Sequence, residues 1–500
     1  MQWEQPTAHY TWQSFHLPRP LPPGGSVNLA FDWHFDLSVL SNREGMLDST
    51  SYYLAYFYPR VAVFDDCNGW DRMEFTDAQE FYNDFNDYTL TVNAPKNYLV
   101  WSTGTLQNPT EVLQPKYAER LKKSMSTDDI IHVVTADDLA TKNVTAQNDM
   151  NSWKWEADNI TDVTCAISDH YVWDASSVVV DDATKRRASV QSAYKDSATD
   201  FHYMVQWGKH SLDWLSKQWP GVAYPFPKTT IVQGFADMEY PMMVNDNTND
   251  DTTFSRFVVE HEISHSWFPF YMGINEHRYG FMDEGWATTF ELLIGRDDMG
   301  NEKADNFYKQ FRVDQWIHDA SDEEDIPIIT PGNILNGVAL GNNEYGKASL
   351  GYLAVKDLLG DDMFRKCLHA FMDRWHGKHP IPWDFFYTFN DVSGKNLNWF
   401  WNSWFFSNGY IDLAIEDVKT NADGYTLTIK NIGGFPAPAD ALITYEDGST
   451  ETLHQTPAIW QDDINLATVN IKTQKKIQSI ILDGGIFMDA DITNNIWKAQ

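Results

Sequence analysis

The segment His261-Glu262-Ile263-Ser264-His265 places two histidines four residues apart, and Glu284 follows after eighteen further residues. On a helix, residues four apart lie on one face, so both imidazoles can bind one Zn²⁺. Glu262 then lies beside the metal, where its carboxylate can take a proton from the water that the metal activates. Glu284 is predicted to be the third ligand, which leaves the fourth position open for water, as hydrolysis requires.

The elements that must position these residues are two helices. The spacing of buried-type residues predicts the first helix over Thr253–Phe268, with both histidines on its buried face. Polar side chains on such a face need partners, and a metal ion supplies them. The alternative is a pair of histidines on a solvated helix face with no metal.

The second helix is predicted over Asp283–Arg296 and begins at the third ligand. Glu291 lies two turns after Glu284 on the same face. We expect it to be an outer carboxylate that holds one of the ligating histidines.

At these residues the chain resembles the M1 family of zinc aminopeptidases, which has H-E-x-x-H, eighteen residues and then a glutamate within N/D-E-G-x-A. This chain has Asp283-Glu284-Gly285-Trp286-Ala287. Upstream, Ala236-Asp237-Met238-Glu239-Tyr240 is similar to the family's G-x-M-E-N segment, with Ala236 in place of the glycine and Tyr240 in place of the asparagine. Downstream, Tyr345-Gly346-Lys347-Ala348 is similar to its Y-x-K-G run, with Ala348 in place of the glycine.

The resemblance implies a substrate-binding strand over Ala236, Asp237, Met238 and Glu239, in which Glu239 holds the α-ammonium of a peptide. The alternative for Glu239 is a solvated acid at a strand end. The resemblance also implies that Tyr345 donates its hydroxyl to the oxyanion of the tetrahedral intermediate. The alternative for Tyr345 is a packed tyrosine at the start of a helix.

The composition restricts the partners. The 500 residues carry a formal net charge of −34, which disfavours nucleic-acid backbones and anionic membrane surfaces and favours cationic ligands. Surface acidity that serves only solubility is the alternative explanation. No apolar run reaches membrane-spanning length, and no signal peptide is visible at the N-terminus. The oligomeric state and the compartment stay open, with bacterial periplasmic, secreted and cytoplasmic locations all compatible.

The predicted fold is multidomain α+β. We expect an N-terminal β-domain over residues 1–170, a thermolysin-like, mainly helical zinc catalytic domain over 171–408, and an immunoglobulin-like C-terminal β-sandwich over 409–500. Only 57 residues precede Tyr58-Pro59-Arg60, which resembles a stretch of the M1 N-terminal domain. We therefore expect that domain to lack its first strands, through truncation or an alternative start.

Alternating apolar residues predict strands in both β-domains, and a 3.6-residue periodicity predicts helices between them. The N-terminal strands are predicted at Val27–Leu37, Tyr56–Phe64, Tyr88–Val92 and Tyr98–Ser102, and a strand at Met238–Val244 precedes the first zinc helix. Other helices are predicted at Asp196–Gln218, Lys303–His318, Lys347–Leu359, Met363–Trp375 and Asn396–Phe405. The C-terminal strands are predicted at Tyr425–Ile429, Ala441–Tyr445, Ala467–Ile471 and Ile477–Leu482.

Together these features predict a zinc-dependent aminopeptidase that acts on peptides with a free N-terminus and holds one Zn²⁺ per chain. Two alternatives stay open. One is a zinc endopeptidase or another hydrolase on the same scaffold, and the other is a non-catalytic binding protein descended from a peptidase.

Overall fold

The computed structural model describes residues 11–39, 43–75, 79–318, 326–335 and 337–499. The chain divides into two compact units, the first made of residues 1–210 and 225–266 and the second of residues 211–224 and 267–500. N-terminal sheets, a helical middle region and C-terminal strands follow one another along the chain, which confirms the predicted α+β class. The boundaries predicted near residues 170 and 408 stay predictions.

The first unit is mostly β-structure. Its strands are β1 (Gly45–Met46), β2 (Ser51–Leu54), β3 (Phe64–Asp65), β4 (Gly69–Trp70), β5 (Asn86–Pro95), β6 (Leu99–Ser102), β7 (Thr105–Leu106), β8 (Ile131–Val134), β9 (Met150–Ile160), β10 (Cys165–Ser168), β11 (Val172–Asp181), β12 (Arg186–Tyr194), β13 (Lys228–Gln233), β14 (Met238–Tyr240) and β15 (Met243–Asp246). Its helices are α1 (Pro109–Val112), α2 (Pro115–Ser124), α3 (Ala136–Ala140), the first part of α4 (Met204–Lys217) and α5 (Thr252–Ser264).

A six-stranded sheet supports the functional end of this unit. Its strand order is β14-β15-β13-β12-β11-β8, so β14 lies at one edge. The pairs β12–β13 and β13–β15 are parallel, and the hairpin of β14 and β15 is antiparallel. Buried side chains from this sheet and its neighbours, among them Trp101, Trp153, Trp173 and Val232, form one core. The sheet therefore holds its edge strand on a rigid support.

The second unit begins with helices. They are the remainder of α4, α6 (Glu276–Tyr279), α7 (Glu284–Met299), α8 (Asn301–Tyr308), α9 (Asp314–Ile317), α10 (Gly337–Gly341), α11 (Ala348–Leu359), α12 (Asp361–Trp375), α13 (Pro382–Ser393) and α14 (Asn398–Phe405). Of the π-helical turns in this unit, we call Lys309–Val313 the Arg312 turn and Asn342–Lys347 the Tyr345 turn. Within the described ranges, no helix has both the length and the apolar character needed to span a membrane.

The C-terminal strands form two small sheets. They are β16 (Leu413–Asn421), β17 (Gly424–Asn431), β18 (Ala439–Tyr445), β19 (Thr450–Gln455), β20 (Leu466–Lys472), β21 (Ile477–Asp483) and β22 (Ile496–Lys498). The orders are β16-β17-β20 and β19-β18-β21-β22. Leu427, Ile443, Trp460 and Ile480 belong to one buried cluster that both sheets share, as in a β-sandwich. All four strands predicted here are confirmed.

Three strand predictions in the first unit are wrong. Residues 27–37 form no strand. The apolar side chains that alternate along this segment, such as Phe31 (45% exposed) and Trp33 (51% exposed), lie at the surface. Only Phe64 of Tyr56–Phe64 lies in a strand, and Tyr56 has a φ of 57°, which a strand residue does not adopt. Met238–Val244 is a hairpin instead of one strand, since Met242 has a φ of 64° at its turn.

The region predicted to be mainly helical also begins with two long strands, β11 and β12. Seven of the nine residues of β12 are buried, so the side chains on both faces of this strand are covered. A strand covered on both faces loses the two-residue period by which a sequence reveals it.

Candidate active site

Helix α5 carries His261, and His265 is its C-cap. The two ends of the helix have local causes. The side chain of Asp251 accepts a hydrogen bond from the backbone N–H of Thr253 at 2.9 Å, which caps the N-terminus. The helix ends at Ser264, earlier than predicted. Phe268 has extended backbone angles (φ −133°, ψ 107°), and Pro269 has no N–H to continue the ladder.

A buried carboxylate holds the segment that leads into α5. Asp200 is fully buried and accepts hydrogen bonds from Ser255 Oγ at 2.8 Å, Thr248 Oγ1 at 2.6 Å and Asn249 N at 2.8 Å. Three donors satisfy most of its acceptor capacity, so its burial is compensated. Asp200 thereby ties the start of α5 to the segment before α4.

The two histidines of the predicted metal site lie close together. The ring centroids of His261 and His265 are 4.9 Å apart, so the two imidazoles lie on the same side of α5. His261 and Glu262 are each 6% exposed, and His265 is fully buried. The chain therefore removes two imidazoles and a carboxylate from water within one helical turn.

Glu239 joins this group from the edge strand β14. It pairs with Val244 across the hairpin and is 6% exposed. The donor atoms of Glu239, Glu262 and His265 all lie within 4.8 Å of one another, a grouping of carboxylates and imidazole that can hold a cation. The first unit therefore brings the predicted amine anchor and the predicted base together.

The other residues of the predicted substrate-binding strand have distinct surroundings. Asp237 is exposed, and its carboxylate accepts hydrogen bonds from Asn247 N at 2.9 Å and Asn247 Nδ2 at 3.2 Å. Ala236 is buried, and Met238 is half-buried with its Sδ 3.6 Å from Arg43 Nη1. Asp237 thus fastens the loop after β15.

Tyr240, which replaces the asparagine of the G-x-M-E-N pattern, is a packing residue. Its hydroxyl donates to the carbonyl oxygen of Arg43 at 2.9 Å, and its ring centroid is 5.4 Å from that of Tyr53 and 5.7 Å from that of Tyr56. Burial raises the pKa of Tyr240 well above its ordinary value, so it stays a neutral donor.

The second unit by itself brings Glu284 and Tyr345 together. Glu284 is the first residue of α7, where a carboxylate is stabilised by the helix dipole, and it is 7% exposed. The hydroxyl of Tyr345 donates to Glu284 Oε1 at 2.7 Å. The structure thus brings these two predicted residues into direct contact across 61 positions of sequence.

Glycines make room for the Tyr345 turn. A Cβ added to Gly280 would lie 2.4 Å from the carboxylate of Glu344, and one added to Gly332 would lie 2.6 Å from Glu344 Oε1. Such distances are shorter than any contact that a side chain can make, so the Glu344 carboxylate lies directly against two backbone segments. The residue that precedes Tyr345 thus has its side chain packed against two glycines of neighbouring segments.

Glu291, predicted to hold a ligating histidine, makes a two-point ion pair with Arg312. Arg312 Nε donates to Glu291 Oε1 at 3.1 Å, and Arg312 Nη2 donates to Oε2 at 2.6 Å. The predicted histidine contact stays a prediction. The sequence analysis did not find Arg312, Glu344 or Asp200, because each acts through a partner far away in the chain.

Residues 236–404 match the model of the peptidase family M1 domain, and this range contains every site residue that the sequence analysis named. This part of the chain is therefore similar to a peptidase family M1 domain. The matched range starts just before the edge strand of the first unit and ends in α14 of the second. It therefore includes candidate residues of both units.

Two aminopeptidases are similar to the chain. Aminopeptidase N from Plutella xylostella is 24% identical over 186 residues, which are 34% of this chain and 19% of that protein. The crystal structure of Legionella pneumophila aminopeptidase A in complex with aspartic acid superposes with a TM-score of 0.58 at 14% identity, over 91% of this chain and 47% of that one. The chain thus has the M1 aminopeptidase fold but spans under half the length of either relative.

Proposed function

We propose that the chain is a zinc aminopeptidase that removes the first residue of peptides, with His261, His265 and Glu284 as ligands of one Zn²⁺. Two imidazoles and a carboxylate are a ligand set typical of hydrolytic zinc. The paired rings on α5 and the buried Glu284 at the start of α7 suit that role. When bound, zinc supplies a Lewis acid that polarises the scissile carbonyl and acidifies the attacking water.

Glu262 is the general base in this proposal. Its carboxylate takes a proton from the attacking water and later passes it to the nitrogen of the leaving amine. Its near-complete burial suits this task, because a proton acceptor shielded from bulk water interacts more strongly with the reacting groups.

Tyr345 is the proposed oxyanion donor. Its hydroxyl donates to Glu284 Oε1 in the structure, and in the reaction it turns its donor to the substrate oxygen as that oxygen gains negative charge. Such a contact strengthens in the transition state and therefore lowers the barrier instead of merely improving binding.

The observation that carries the exopeptidase assignment is the grouping of Glu239 with Glu262 and His265 within 4.8 Å. In a peptide substrate, the α-amine nitrogen and the first carbonyl carbon are separated by two bonds, about 2.5 Å. A carboxylate that binds the α-ammonium must therefore lie within a few ångströms of the base. Glu239 meets this condition, and its charge-assisted contact places the first peptide bond at the base.

The proposal includes the three domains expected from the sequence: an N-terminal β-domain to residue 170, the catalytic domain to residue 408 and the β-sandwich after it. The net charge of −34 is consistent with attraction of cationic peptide N-termini and with exclusion of nucleic acids.

The test compares aminoacyl-amide fluorogenic substrates with free and acetylated N-termini, with and without a chelator. We expect hydrolysis of the free substrates only, and its loss on chelation. Glu239→Ala should remove most of the preference for a free amine, by about 10- to 100-fold in kcat/KM, since charge-assisted hydrogen bonds contribute about 1.5–3 kcal/mol.

Glu260→Gln is the matched control, because Glu260 is a buried acid of α5 that pairs with Arg256 instead. Its preference for free amines should equal that of the wild type. Equal rates on free and acetylated peptides would support a zinc endopeptidase, and absence of hydrolysis of any substrate would support a binding protein.

A further inference from the structure

Arg312 is a buried cation with a fixed orientation. The side chains of Arg312 and Glu291 are 13% and 3% exposed, and both oxygens of Glu291 accept hydrogen bonds from the guanidinium. Burial by itself lowers the pKa of Arg312, but the charge and hydrogen bonds of Glu291 outweigh it and raise the pKa, with Tyr345 and Glu284 adding to the rise. The two-point contact leaves the guanidinium little rotational freedom.

The same guanidinium faces the ring of Tyr345. Its central carbon is 5.1 Å from the ring centroid, within the range of a cation–π contact. A fixed positive charge at this distance favours electron density that moves onto a phenol when its proton is shared with an anion. Arg312 is therefore placed to act on the hydroxyl through the ring.

The backbone adds a second contact between the two turns. A Cβ on Gly346 would lie 1.8 Å from the carbonyl oxygen of Arg312, so only glycine permits this approach. The same carbonyl accepts a hydrogen bond from Trp316 Nε1 at 2.9 Å. The Arg312 turn and the Tyr345 turn are thus packed in a fixed position against each other. Both are π-helical, and π-helical turns often occur at functional sites.

We propose that Arg312, held by Glu291, is a positioning residue for the reaction: it orients the Tyr345 ring and makes its hydroxyl a stronger donor to the developing oxyanion. This inference rests on the proposed function, because it requires that Tyr345 serve as that donor. A purely structural ion pair between α7 and the Arg312 turn is the competing account.

A double-mutant cycle in the zinc-loaded full chain separates the two accounts. Arg312→Gln should lower kcat on the order of tenfold and leave KM within about twofold, since contacting residues couple by amounts of this size. In a Tyr345→Phe background, which has no hydroxyl to act through, Arg312→Gln should change kcat by less than about twofold. Arg312→Lys keeps the charge but not the two-point contact, so its kcat should lie between those of Arg312→Gln and the wild type.

Arg296→Gln is the matched control, because Arg296 extends from α7, the helix that carries Glu291, and pairs with Asp305 through a single Nε–Oδ1 contact of 2.6 Å. Its kcat should equal that of the wild type. If Arg312→Gln does not fold, Arg312→Lys carries the same cycle. Equal losses with and without the Tyr345 hydroxyl would overturn the positioning role, whereas a wild-type kcat for Tyr345→Phe would overturn the proposed mechanism itself.

Discussion

The candidate residues fall into two parts, one in each unit, and the two parts are built differently. In the first unit, the histidines and Glu262 lie on one regular helix with a capping residue and a buried anchor, Asp200. In the second unit, Tyr345 lies on a π-helical turn. Contacts of Glu344 and Arg312 with distant segments hold this turn, and glycines in those contacts leave the room that a Cβ would fill. One part follows from helix periodicity, and the other depends on long-range packing.

This difference matches the catalytic tasks that we propose for the two parts. A metal ion and a general base need donor atoms at a spacing that one helical turn supplies. An oxyanion donor must reach the place where charge develops, and an error of about 1 Å can cost a factor of about 10² in rate. We therefore expect substitutions in the first part to lower activity through loss of the metal or the base. In the second part, small displacements of the Tyr345 hydroxyl should be enough to lower the rate.

The largest expected effect is loss of a ligand. His265→Ala and Glu284→Ala change one ligand in each unit, and both should remove zinc and reduce activity to background. Elemental analysis and hydrolysis rates on the same samples test this. If either variant retains stoichiometric zinc and activity, the residue that was changed is not a ligand of the metal.

Loss of the base comes next. Glu262→Gln keeps the size of the side chain but not its basicity, so kcat should fall by a factor of about 10² to 10⁴ while zinc is retained. Steady-state kinetics and metal analysis test this together. A rate near that of the wild type would assign the proton transfer to another group.

Tyr345→Phe removes only the hydroxyl. We expect a loss of about 2.7–4 kcal/mol in transition-state stabilisation with little change in KM, because the contact forms only as the oxyanion develops. Zinc content should stay unchanged. A large rise in KM with unchanged kcat would make Tyr345 a substrate-binding residue and would remove the contrast between the two parts.

The smallest effect is expected outside both parts, at His454 of β19. Its Nδ1 lies 2.6 Å from Asp440 Oδ1 and its Nε2 lies 3.1 Å from Asp357 Oδ1 of α11. Burial by itself lowers the pKa of His454, but hydrogen bonds and charges of the two carboxylates outweigh it and raise the pKa above 6.5.

A group whose pKa rises on folding stabilises the fold fully below its unfolded pKa, and that stability is lost as pH rises through the folded pKa. His454 and its two carboxylate partners are partly exposed, so we expect them to contribute at most about 1 kcal/mol to the free energy of unfolding. The difference in Tm between the wild type and His454→Gln should therefore be largest near pH 6 and shrink by about pH 9, with kcat unchanged. A difference that grows with pH would contradict this assignment.

Local patterns predicted several elements well. The C-terminal strands have one buried and one exposed face, so their alternation was visible, and the helix Met363–Trp375 was found almost to its ends. The same rule failed at residues 27–37, where an equally regular alternation has no partner strand among the described residues. Alternation shows that a segment suits a sheet, but pairing requires a neighbour that the pattern does not contain.

The sequence by itself determined the candidate chemistry of this protein: two histidines one turn apart and a glutamate beside them follow from helix geometry, and the predicted third ligand follows from an interval that resembles the M1 pattern. Only the tertiary structure decided the contacts of Glu239 and the surroundings of Tyr345. The predicted helix Lys303–His318 is broken by the π-helical turn that carries Arg312, and Glu344 lies against Gly280 and Gly332. These contacts join residues that are far apart along the chain, and periodicity contains no information about which distant backbone a side chain meets.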